Sequence, residues 1–486
     1  MSRREMLRWA VFAIAAWFLL FSGVGLRGVV GPDEPRYASI AREMWLSGDW
    51  VTPRLGGEPW FEKPALLYWL GAAGMALGAP ADQATRLATA ALSVLFLVFY
   101  HWRLRRVFDE TTADVSTAIL LTTAGWAAFG QAGVFDLPLT AAVGAALLLL
   151  LEWADDPADK RRLPWFGALL GVSVLAKGLA GPAVATMAAL GVCTLRGVRP
   201  VARDLFAART LLPFLAVCGP WYAICYARNG DAFVEEFLWR HHVLRLISPE
   251  LQHVQPAWFY LPVLAGALLP WAPLALGLPW RRLWEDPRTR LLLAWALGTL
   301  LFFSLSTNKL PGYILPALPA FAALMGLRLR VEPLPRRELT AAALLLGLLP
   351  LAAAVLPEAL ASGLPSAWPP KGLSWGLAGP FAAAVALVSW AAWTGRRELA
   401  VWALAAAAAA GLTQLKLSVY PQLDAAAGIP RELQRELAAE GDRICVGDVR
   451  RHVAYGAELY SLGRAPACAD QDRPLRLEGD PPKIVR

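Results

Sequence analysis

Long apolar stretches recur along the chain, and no soluble core needs so many. Residues 9–26, 84–102, 258–278 and 374–393 approach or reach the length of about 20 residues that a helix needs to cross a hydrocarbon core about 30 Å thick. Hydrophobic residues make up 57% of the 486 residues and charged residues only 17%, against roughly 25% charged residues in an ordinary soluble protein. The sequence therefore predicts an all-α polytopic membrane protein. No cleavage site stands out after the first stretch, so we expect it to be a retained helix rather than a signal peptide.

Basic clusters before residue 400 lie in the N-terminal tail and in short loops between apolar spans. They are Arg3-Arg4, Arg105-Arg106, Lys160-Arg161-Arg162, Arg281-Arg282, Arg336-Arg337 and Arg396-Arg397. In these places arginines set membrane topology, because basic loops stay cytoplasmic. The net charge of +8 therefore does not indicate a nucleic-acid partner. All six clusters are expected on one side of the membrane.

Two cytoplasmic loops must be separated by an even number of crossings. Three apolar stretches, residues 9–26, 63–78 and 84–102, lie between Arg4 and Arg105, so one of them does not cross. The segment 63–78 is the shortest, and its 16 residues would reach only about 24 Å as a helix. We predict that it dips into the membrane from outside.

The same parity argument splits two longer apolar stretches into two crossings each. Residues 163–195 divide at Lys177-Gly178, and residues 291–327 divide at Asn308-Lys309. The total becomes about thirteen transmembrane helices, with a cytoplasmic N-terminus and an outward-facing tail. Lys177 is assigned to the closing of its helical hairpin and is given no part in a site.

Four polar segments then face outward, at residues 28–63, 131–137, 227–256 and 304–313. They contain Asp33, Glu34, Arg36, Glu62, Lys63, Asp136, Arg240, His241, His242, Arg245, Lys309 and Tyr313. The topology count did not use these residues, yet it places all of them on one face. The sequence thus predicts an outward-facing site.

Composition divides the chain into two domains. Residues 1–423 are predicted to form the transmembrane domain, and residues 424–486 a small α+β domain outside the membrane. In the tail, helical patterns cover residues 430–440 and 453–462, and a strand-like pattern covers residues 443–446. A domain of about 60 residues is expected to need extra support.

The cysteines offer such support. Cys193, Cys218 and Cys225 lie in or beside apolar spans, whereas Cys445 and Cys468 lie in the polar tail. We predict a disulfide between the last two, because an outward-facing tail lies in an oxidising compartment. The prediction requires their α-carbons to lie within about 7 Å of each other.

Two carboxylates, Asp33 and Glu34, follow the outer end of the first helix and precede an amphipathic stretch at residues 37–46. A carboxylate held there suits a general base for an acceptor hydroxyl, or a metal ligand. The same residues also suit a helix start, with Asp33 as a cap and Glu34 in the first turn. Sequence alone leaves both interpretations open.

Glu62 and Lys63 open the dipping helix. A lysine at headgroup depth provides the counter-charge that a lipid-linked phosphate requires. Interfacial lysines also extend toward water with no further role, so this pair is open to two interpretations as well.

Four motifs occur in order, and together they resemble one family. They are Asp33-Glu34-x-Arg36-Tyr37, Phe61-Glu62-Lys63-Pro64-x-Leu66-Leu67-Tyr68-Trp69, Asp136-x-Pro138-Leu139 and Lys309-Leu310-x-x-Tyr313-x-Leu315-Pro316. Over about residues 10–330 the chain resembles the GT-C membrane glycosyltransferases of the aminoarabinose transferase and protein mannosyltransferase type. The resemblance implies a polyprenyl-phosphate sugar donor and a periplasmic site. Ala65 stands where the family often has a second proline, Pro35 stands where a small residue is common, and the tail is shorter, so sugar and acceptor stay open.

The resemblance also implies roles for the site residues. Asp33 is expected to be the catalytic base. The expected substrate-binding residues are Glu34, Arg36, Glu62, Lys63, Asp136, His242, Arg245, Lys309 and Tyr313. In an inverting transfer, Lys63 and Arg245 would stabilise the charge on the departing phosphate, with help from Arg36 and Tyr313.

No cofactor is required by this mechanism. A divalent metal held by Glu62, His241 and His242 is an alternative, although their spacing matches no diagnostic metal motif. If the acceptor is a lipid A phosphate, already ionised because its second pKa is about 6, Asp33 only positions it.

The sequence therefore predicts sugar transfer to lipid A or another envelope glycolipid, by a multi-pass protein of a bacterial inner membrane with its site and C-terminus in the periplasm. A protein O-glycosyltransferase is the alternative enzyme. A lipid or glycolipid flippase is the alternative of another class, disfavoured because the ionisable residues gather at one face and no internal repeat is visible.

Overall fold

The computed structural model of the chain describes residues 3–244, 254–362, 366–368, 378–471 and 473–485. The first half of the membrane part contains α1 (Arg3–Ala16), α2 (Asp33–Ser47), α3 (Leu66–Ala76), α4 (Ala81–Val107), α5 (Glu110–Leu121), α6 (Ala124–Phe129), α7 (Asp136–Asp155), α8 (Arg162–Lys177), α9 (Ala180–Arg196), α10 (Val198–Leu205), α11 (Ala208–Asn229) and α12 (Asp231–Val234). The second half contains α13 (Tyr260–Ala267), α14 (Ala272–Leu276), α15 (Trp280–Glu285), α16 (Pro287–Leu305), α17 (Leu318–Arg328), α18 (Arg336–Leu345), α19 (Leu349–Ser362), α20 (Ala378–Trp393) and α21 (Arg397–Ala427). Short 3-10 or π-helical turns occupy Trp17–Phe21, Val24–Leu26, Glu235–Leu244, Ala257–Phe259, Pro311–Ala317 and Leu346–Leu348.

The predicted polytopic all-α architecture is confirmed. Within the described residues, seven helical segments are long and apolar enough to cross a membrane. They are Glu5–Leu26, Ala81–Val107, Asp136–Asp155, Ala208–Asn229, Pro287–Leu305, Arg336–Ala359 and Arg397–Asp424. Shorter apolar helices lie between them, and the total of thirteen crossings stays a prediction.

The breaks that parity predicted are present. Helix α8 ends at Lys177 because Gly178, with φ of +62°, turns the chain into α9. Helix α16 ends at Leu305, and a 3-10 segment, Pro311–Ala317, leads into α17. The predicted dipping helix is α3, whose 11 residues reach only about 16 Å, too short to cross.

The stretch 258–278 has the length of one span but does not form one continuous helix. It forms two short helices, α13 and α14, with Pro270 between them. A proline lacks the backbone N–H and clashes with the preceding turn, so it interrupts a continuous helix.

Helix α7 is the centre of the membrane part. Its residues from Leu137 to Trp153 are buried, because α4, α8, α9 and α16 pack around it. A helix that is apolar on all sides suits such a position. Its first residue is Asp136, so the most enclosed helix of the fold positions one of the predicted site residues.

Both faces of helix α2 are covered over most of its length. Tyr37, Ile40 and Met44 pack against Leu67 and Tyr68 of α3. The opposite face contacts the C-terminal part of the chain. Beyond α2, a two-residue hairpin joins β1 (Arg54–Leu55) to β2 (Glu58–Pro59).

The C-terminal domain consists of α22 (Arg431–Glu440), β3 (Ile444–Val446), α23 (Arg451–Tyr460), β4 (Leu475–Glu478) and β5 (Lys483–Val485). Strand β4 lies between β3, to which it is parallel, and β5, to which it is antiparallel. The three predicted elements are present within two residues of their expected ends, whereas β4 and β5 were missed.

The predicted disulfide is confirmed. Cys445 on β3 bonds to Cys468, and their α-carbons are 4.9 Å apart. Cys445 is buried and follows Ile444, which belongs to a small core together with Leu437 and Leu477.

Candidate functional site

The first charged group is the α2–α3 cluster, which we define as Asp33, Arg36, Glu62 and Lys63. Arg36 lies one turn after Asp33 on α2, and its guanidinium contacts the Asp33 carboxylate at 2.5 Å and the Glu62 carboxylate at 3.1 Å. The Lys63 ammonium donates to Glu62 at 2.7 Å. The side chain of Asp33 is 41% exposed, against 11% for Lys63. The cluster is therefore a row of alternating charges with an accessible carboxylate at one end.

Aromatic rings enclose the guanidinium of Arg36. Its central carbon lies 5.2 Å from the ring centre of Tyr37, 5.5 Å from that of Trp60 and 5.5 Å from that of Tyr455. Burial alone would lower the pKa of Arg36, but the surrounding groups, including Glu62, raise it above its ordinary value. Arg36 therefore stays charged although it is buried.

Glu34, next to Asp33, has a different environment. Its carboxylate accepts two hydrogen bonds from Arg27, at 2.5 and 2.9 Å, and one each from the backbone N–H groups of Val30 and Gly133. Burial alone would raise the pKa of Glu34, but the charge and hydrogen bonds of Arg27 lower it to about 2. These contacts give Glu34 a role in stabilising the fold. A contact between Glu34 and the substrate stays a prediction.

The second group is the α7–α8 cluster, which we define as Asp136, Lys177 and Tyr313. The Lys177 ammonium donates to the Asp136 carboxylate at 2.7 Å and lies 4.3 Å from the ring centre of Tyr313. Gly312 lies against this pair, since a Cβ there would come within 2.6 Å of the Asp136 side chain. The sequence analysis gave Lys177 no part in a site and did not foresee its contact with Asp136, a carboxylate 41 positions earlier in the chain.

The two clusters lie at neighbouring helix ends. Phe135, which precedes Asp136, packs edge-on against Tyr37 at 4.8 Å and against Tyr68 at 5.2 Å. The start of α3 also packs on the end of α8, where Ala65 and Leu175 belong to one apolar cluster. Two lysine–carboxylate pairs thus occupy adjacent positions.

Lys309 was expected to bind substrate, but its described contacts are with the backbone. Its ammonium donates to the carbonyl of Gln255 at 2.9 Å and to that of Ser306, and the residue is 4% exposed. These bonds fix the connection that carries Tyr313 to the α7–α8 cluster. The contacts therefore support a structural role for Lys309.

Part of the predicted site falls outside the described residues. Arg245 lies there, as do the side chains of His241 and His242, whose backbone continues the helix that follows α12. Within the described part of the chain, no group of three His, Cys, Asp or Glu side chains could hold a metal ion. The alternative of a metal at Glu62 and the two histidines stays a prediction.

Three buried donors near the α2–α3 cluster have no hydrogen-bond partner within the described residues: Arg36 Nε, Trp60 Nε1 and the Tyr68 hydroxyl. Buried polar groups are nearly always paired, so these three atoms mark an incomplete hydrogen-bond network beside the cluster. Sequence analysis gave no role in the site to Trp60, Tyr68 or Tyr455, because their positions beside Arg36 depend on contacts between distant segments.

Comparison with known proteins links this site to a family. Residues 62–224 match the family model described as dolichyl-phosphate-mannose-protein mannosyltransferase. The chain is 34% identical over 336 residues to the undecaprenyl phosphate-alpha-4-amino-4-deoxy-L-arabinose arabinosyl transferase of Pseudomonas paraeruginosa, and 35% identical over 330 residues to a Pseudomonas fluorescens protein of the same name numbered 2. The alignments cover 67% and 66% of this chain, and the chain spans 60% and 56% of the relatives' lengths.

The fold comparison extends over nearly the whole chain. ArnT from Cupriavidus metallidurans bound to undecaprenyl phosphate aligns with a TM-score of 0.77 and 25% identity, covering 96% of this chain and 86% of that one. The archaeal oligosaccharyltransferase AglB from Archaeoglobus fulgidus shares the fold at a TM-score of 0.54 and 14% identity, covering 96% of this chain and 65% of that one. By sequence and by fold, the chain belongs to the GT-C membrane glycosyltransferase family, of the aminoarabinose transferase type.

Proposed function

We propose that this protein transfers a sugar from a polyprenyl-phosphate carrier to an acceptor at the membrane surface. The observation that carries the proposal is the adjacency of the two lysine–carboxylate pairs, Glu62–Lys63 and Asp136–Lys177, at the ends of α3 and α8. A phosphate leaving group needs cations at headgroup depth, and a buried lysine that is paired with a carboxylate can rotate toward a phosphate. The relatives' names and the undecaprenyl phosphate of the ArnT structure support such a donor.

In the proposed reaction, an acceptor oxygen attacks the anomeric carbon from the face opposite the phosphate. A new carbon–oxygen bond forms, the bond to the phosphate oxygen breaks, and the electron pair leaves with the phosphate, so the configuration inverts. Lys63 stabilises this charge, with Arg245 and Arg36 as further cations; aimed electrostatics of this kind are commonly the largest catalytic contribution. Asp33, the most exposed carboxylate of the α2–α3 cluster, takes the proton of a hydroxyl acceptor.

The α7–α8 cluster is proposed to hold the sugar. Lys177 and Asp136 offer a donor and an acceptor side by side, and the ring of Tyr313 forms an apolar wall. Such a combination suits a pyranose, which presents hydroxyl or amino groups at its edge and C–H groups on its face. Lys177 thereby joins the proposed substrate-binding residues.

For the substrates, we propose an undecaprenyl-phosphate-linked aminoarabinose as donor and lipid A or another envelope glycolipid as acceptor. The names of the relatives support this donor. A protein hydroxyl is the second candidate acceptor, which the matched mannosyltransferase model over residues 62–224 favours. A flippase remains the candidate of another class.

We propose a bacterial inner membrane as the location, with the N-terminus in the cytoplasm and the site in the periplasm. The arginine clusters support this orientation. The Cys445–Cys468 disulfide supports it independently, because disulfides persist in oxidising compartments. We propose two domains, residues 1–423 and 424–486, although helix α21 continues to Ala427. The C-terminal domain contains the disulfide and contacts α2, so both lie on the same side of the membrane.

The test is sugar transfer by the purified chain in lipid nanodiscs. The donor is undecaprenyl-phosphate aminoarabinose, and the acceptors are lipid A in one reaction and a serine-rich peptide in another, with products identified by mass spectrometry. Lys63→Ala is expected to lose about 10²-fold or more in turnover. Lys483→Ala, at an exposed position of β5, is the matched control and should behave as the wild type.

The outcomes separate the candidates. Product on lipid A alone supports the proposal, and product on the peptide alone replaces it with protein glycosylation. Movement of the donor between the leaflets of proteoliposomes, without any sugar transfer, would indicate a flippase. Wild-type turnover by Lys63→Ala would remove the phosphate contact from the mechanism.

A further inference from the structure

The C-terminal domain is bonded directly to α2, the helix that carries Asp33 and Arg36. Arg42 on α2 is 4% exposed and donates to the carbonyl of Leu459 at 2.9 Å and to that of Glu458 at 3.4 Å. These carbonyls lie in the last turn of α23, where they also accept hydrogen bonds from the backbone N–H groups of Gly463 and Leu462. Burial alone would raise the pKa of Glu458, and the charge of Arg42 opposes this rise without cancelling it. Arg42 therefore caps α23 and joins the two domains.

Gly28 shows how closely the domains approach. A Cβ at this position would lie 2.4 Å from the Tyr460 hydroxyl and 2.8 Å from the amide nitrogen of Gln434. The backbone N–H of Gly28 also donates to Asp424 at 2.5 Å. The C-terminal domain thus contacts the backbone of the connection that leads into α2, and only glycine leaves room for that contact.

At this interface, Tyr455 of α23 reaches the α2–α3 cluster. Its ring centre lies 5.5 Å from the central carbon of the Arg36 guanidinium, within the range of about 6 Å for a cation–π contact. Tyr37 and Trp60 hold other sides of the same guanidinium, but both belong to the membrane part. Tyr455 is the contribution of the C-terminal domain.

The position of Arg36 matters because it joins the two carboxylates of the cluster. Its guanidinium contacts Asp33 and Glu62, while its Nε has no acceptor within the described residues. Hydrogen bonds alone therefore leave one edge of the guanidinium unrestrained, and the rings restrain its plane. A guanidinium that rotates away would release both Asp33 and Glu62 from the geometry described above.

We propose that Tyr455 is a positioning residue of the active site, by which the C-terminal domain holds Arg36 against Asp33 and Glu62. The inference rests on the proposed glycosyl transfer and extends it: the domain outside the membrane completes the site instead of merely covering it. Tyr455 itself touches no reacting atom, and it acts through Arg36.

The test compares two substitutions of Tyr455 that distinguish the effect of its aromatic ring from the effect of its apolar volume. Tyr455→Phe keeps the aromatic face, whereas Tyr455→Leu keeps apolar bulk and removes the face. For Tyr455→Leu we expect a loss of about three- to thirty-fold in kcat, the range that corresponds to one cation–π contact, with an unchanged unfolding temperature. Tyr455→Phe should stay within about two-fold of the wild type. Glu436→Ala, at an exposed position of the same domain, is the control.

A double-mutant cycle with Arg36→Lys tests the route of the effect. If Tyr455 acts through Arg36, Tyr455→Leu should cost clearly less in the Arg36→Lys protein than in the wild type, because contacting residues are not additive. A general loss of folding would give additive effects and a lower unfolding temperature. Binding of undecaprenyl phosphate, measured by native mass spectrometry in the same variants, gives a second readout that needs no transfer.

The outcomes are distinguishable from a failure of the proposed function. A wild-type protein without transfer activity refutes the function, and the binding series then decides the inference. Wild-type kcat and wild-type binding in Tyr455→Leu overturn the inference and leave the function intact. Equal losses in Tyr455→Leu and Tyr455→Phe, or additivity with Arg36→Lys, overturn it as well.

Discussion

Asp33 and Glu34 are neighbours on α2, yet their surroundings differ in kind. Glu34 receives four hydrogen bonds from Arg27 and two backbone groups, and its side chain is 6% exposed. Asp33 contacts Arg36, and its side chain is 41% exposed. A carboxylate whose partners are fixed by the fold stabilises the fold, whereas an accessible carboxylate beside a cation is available to a substrate. Residue type alone does not distinguish them.

The lysines repeat this contrast. Lys177 is paired with a carboxylate and lies over a ring, while Lys309 donates to two backbone carbonyls. Rotation of Lys177 toward a ligand leaves behind a charged but partly accessible group, since the Asp136 side chain is 14% exposed. Rotation of Lys309 would leave two carbonyls without their partner, at a cost of about 1–3 kcal/mol for each buried group. Lys177 is therefore suited to binding and Lys309 to structure.

The largest effect is expected from Glu34→Gln. The substitution leaves the Arg27 guanidinium buried without its counter-charge, and breaking a buried pair in this way typically costs about 3–5 kcal/mol. We expect a large fall in unfolding temperature in nanodiscs and little folded protein, measured by the loss of tryptophan fluorescence on heating.

Asp33→Asn is the matched comparison, since it changes the adjacent carboxylate in the same way. It should fold as the wild type and lose turnover on a hydroxyl acceptor. A stable Glu34→Gln protein with reduced transfer would reverse the two assignments.

Lys177→Met should abolish most activity while leaving the fold intact. Removing a cation that contacts the sugar or its leaving group is expected to cost on the order of 10²-fold in turnover. Steady-state transfer and the unfolding temperature are measured on the same preparation. Activity equal to that of Lys483→Ala would return Lys177 to the hairpin role.

Lys309→Met should show the opposite pattern. The loss of the hydrogen bonds to Gln255 and Ser306 is expected to lower stability by about 1–3 kcal/mol, with turnover per folded molecule within about three-fold of the wild type. Chemical denaturation in detergent measures the first quantity and active-site titration the second. A turnover loss as large as that of Lys177→Met would place Lys309 in the site after all.

Local patterns were enough to predict the breaks near Gly178 and Asn308, although the break at Pro270 was missed. Gly178 ends α8, and α3 has only 11 residues, because these features depend on few neighbouring residues. The disulfide could be predicted as well, since only Cys445 and Cys468 lie in the polar tail. Contacts between distant segments could not be predicted, because neither the Asp136–Lys177 pair nor the contact of Tyr455 with Arg36 has a local sequence pattern. The motif alone could not show that Glu34 is paired with Arg27, because both residues fit a substrate site equally well by type.

The smallest expected effect comes from His452, a half-buried residue of α23 and thus an intermediate case between fixed and accessible charges. Burial lowers the pKa of His452 below its ordinary value of 6.5, and the nearby charge of Arg450 lowers it further, while Asp480 opposes the shift. A group whose pKa is lower in the folded state stabilises that state above its unfolded pKa, and this stabilisation is lost as the pH falls through the folded pKa.

The C-terminal domain should therefore lose hydrogen-exchange protection at residues 451–460 as the pH falls below about 6.5. His452→Gln, which cannot titrate, should lose less over the same range, and the difference between the two proteins cancels the titration of other groups. Equal losses in both proteins would mean that protonation of His452 does not destabilise the folded C-terminal domain.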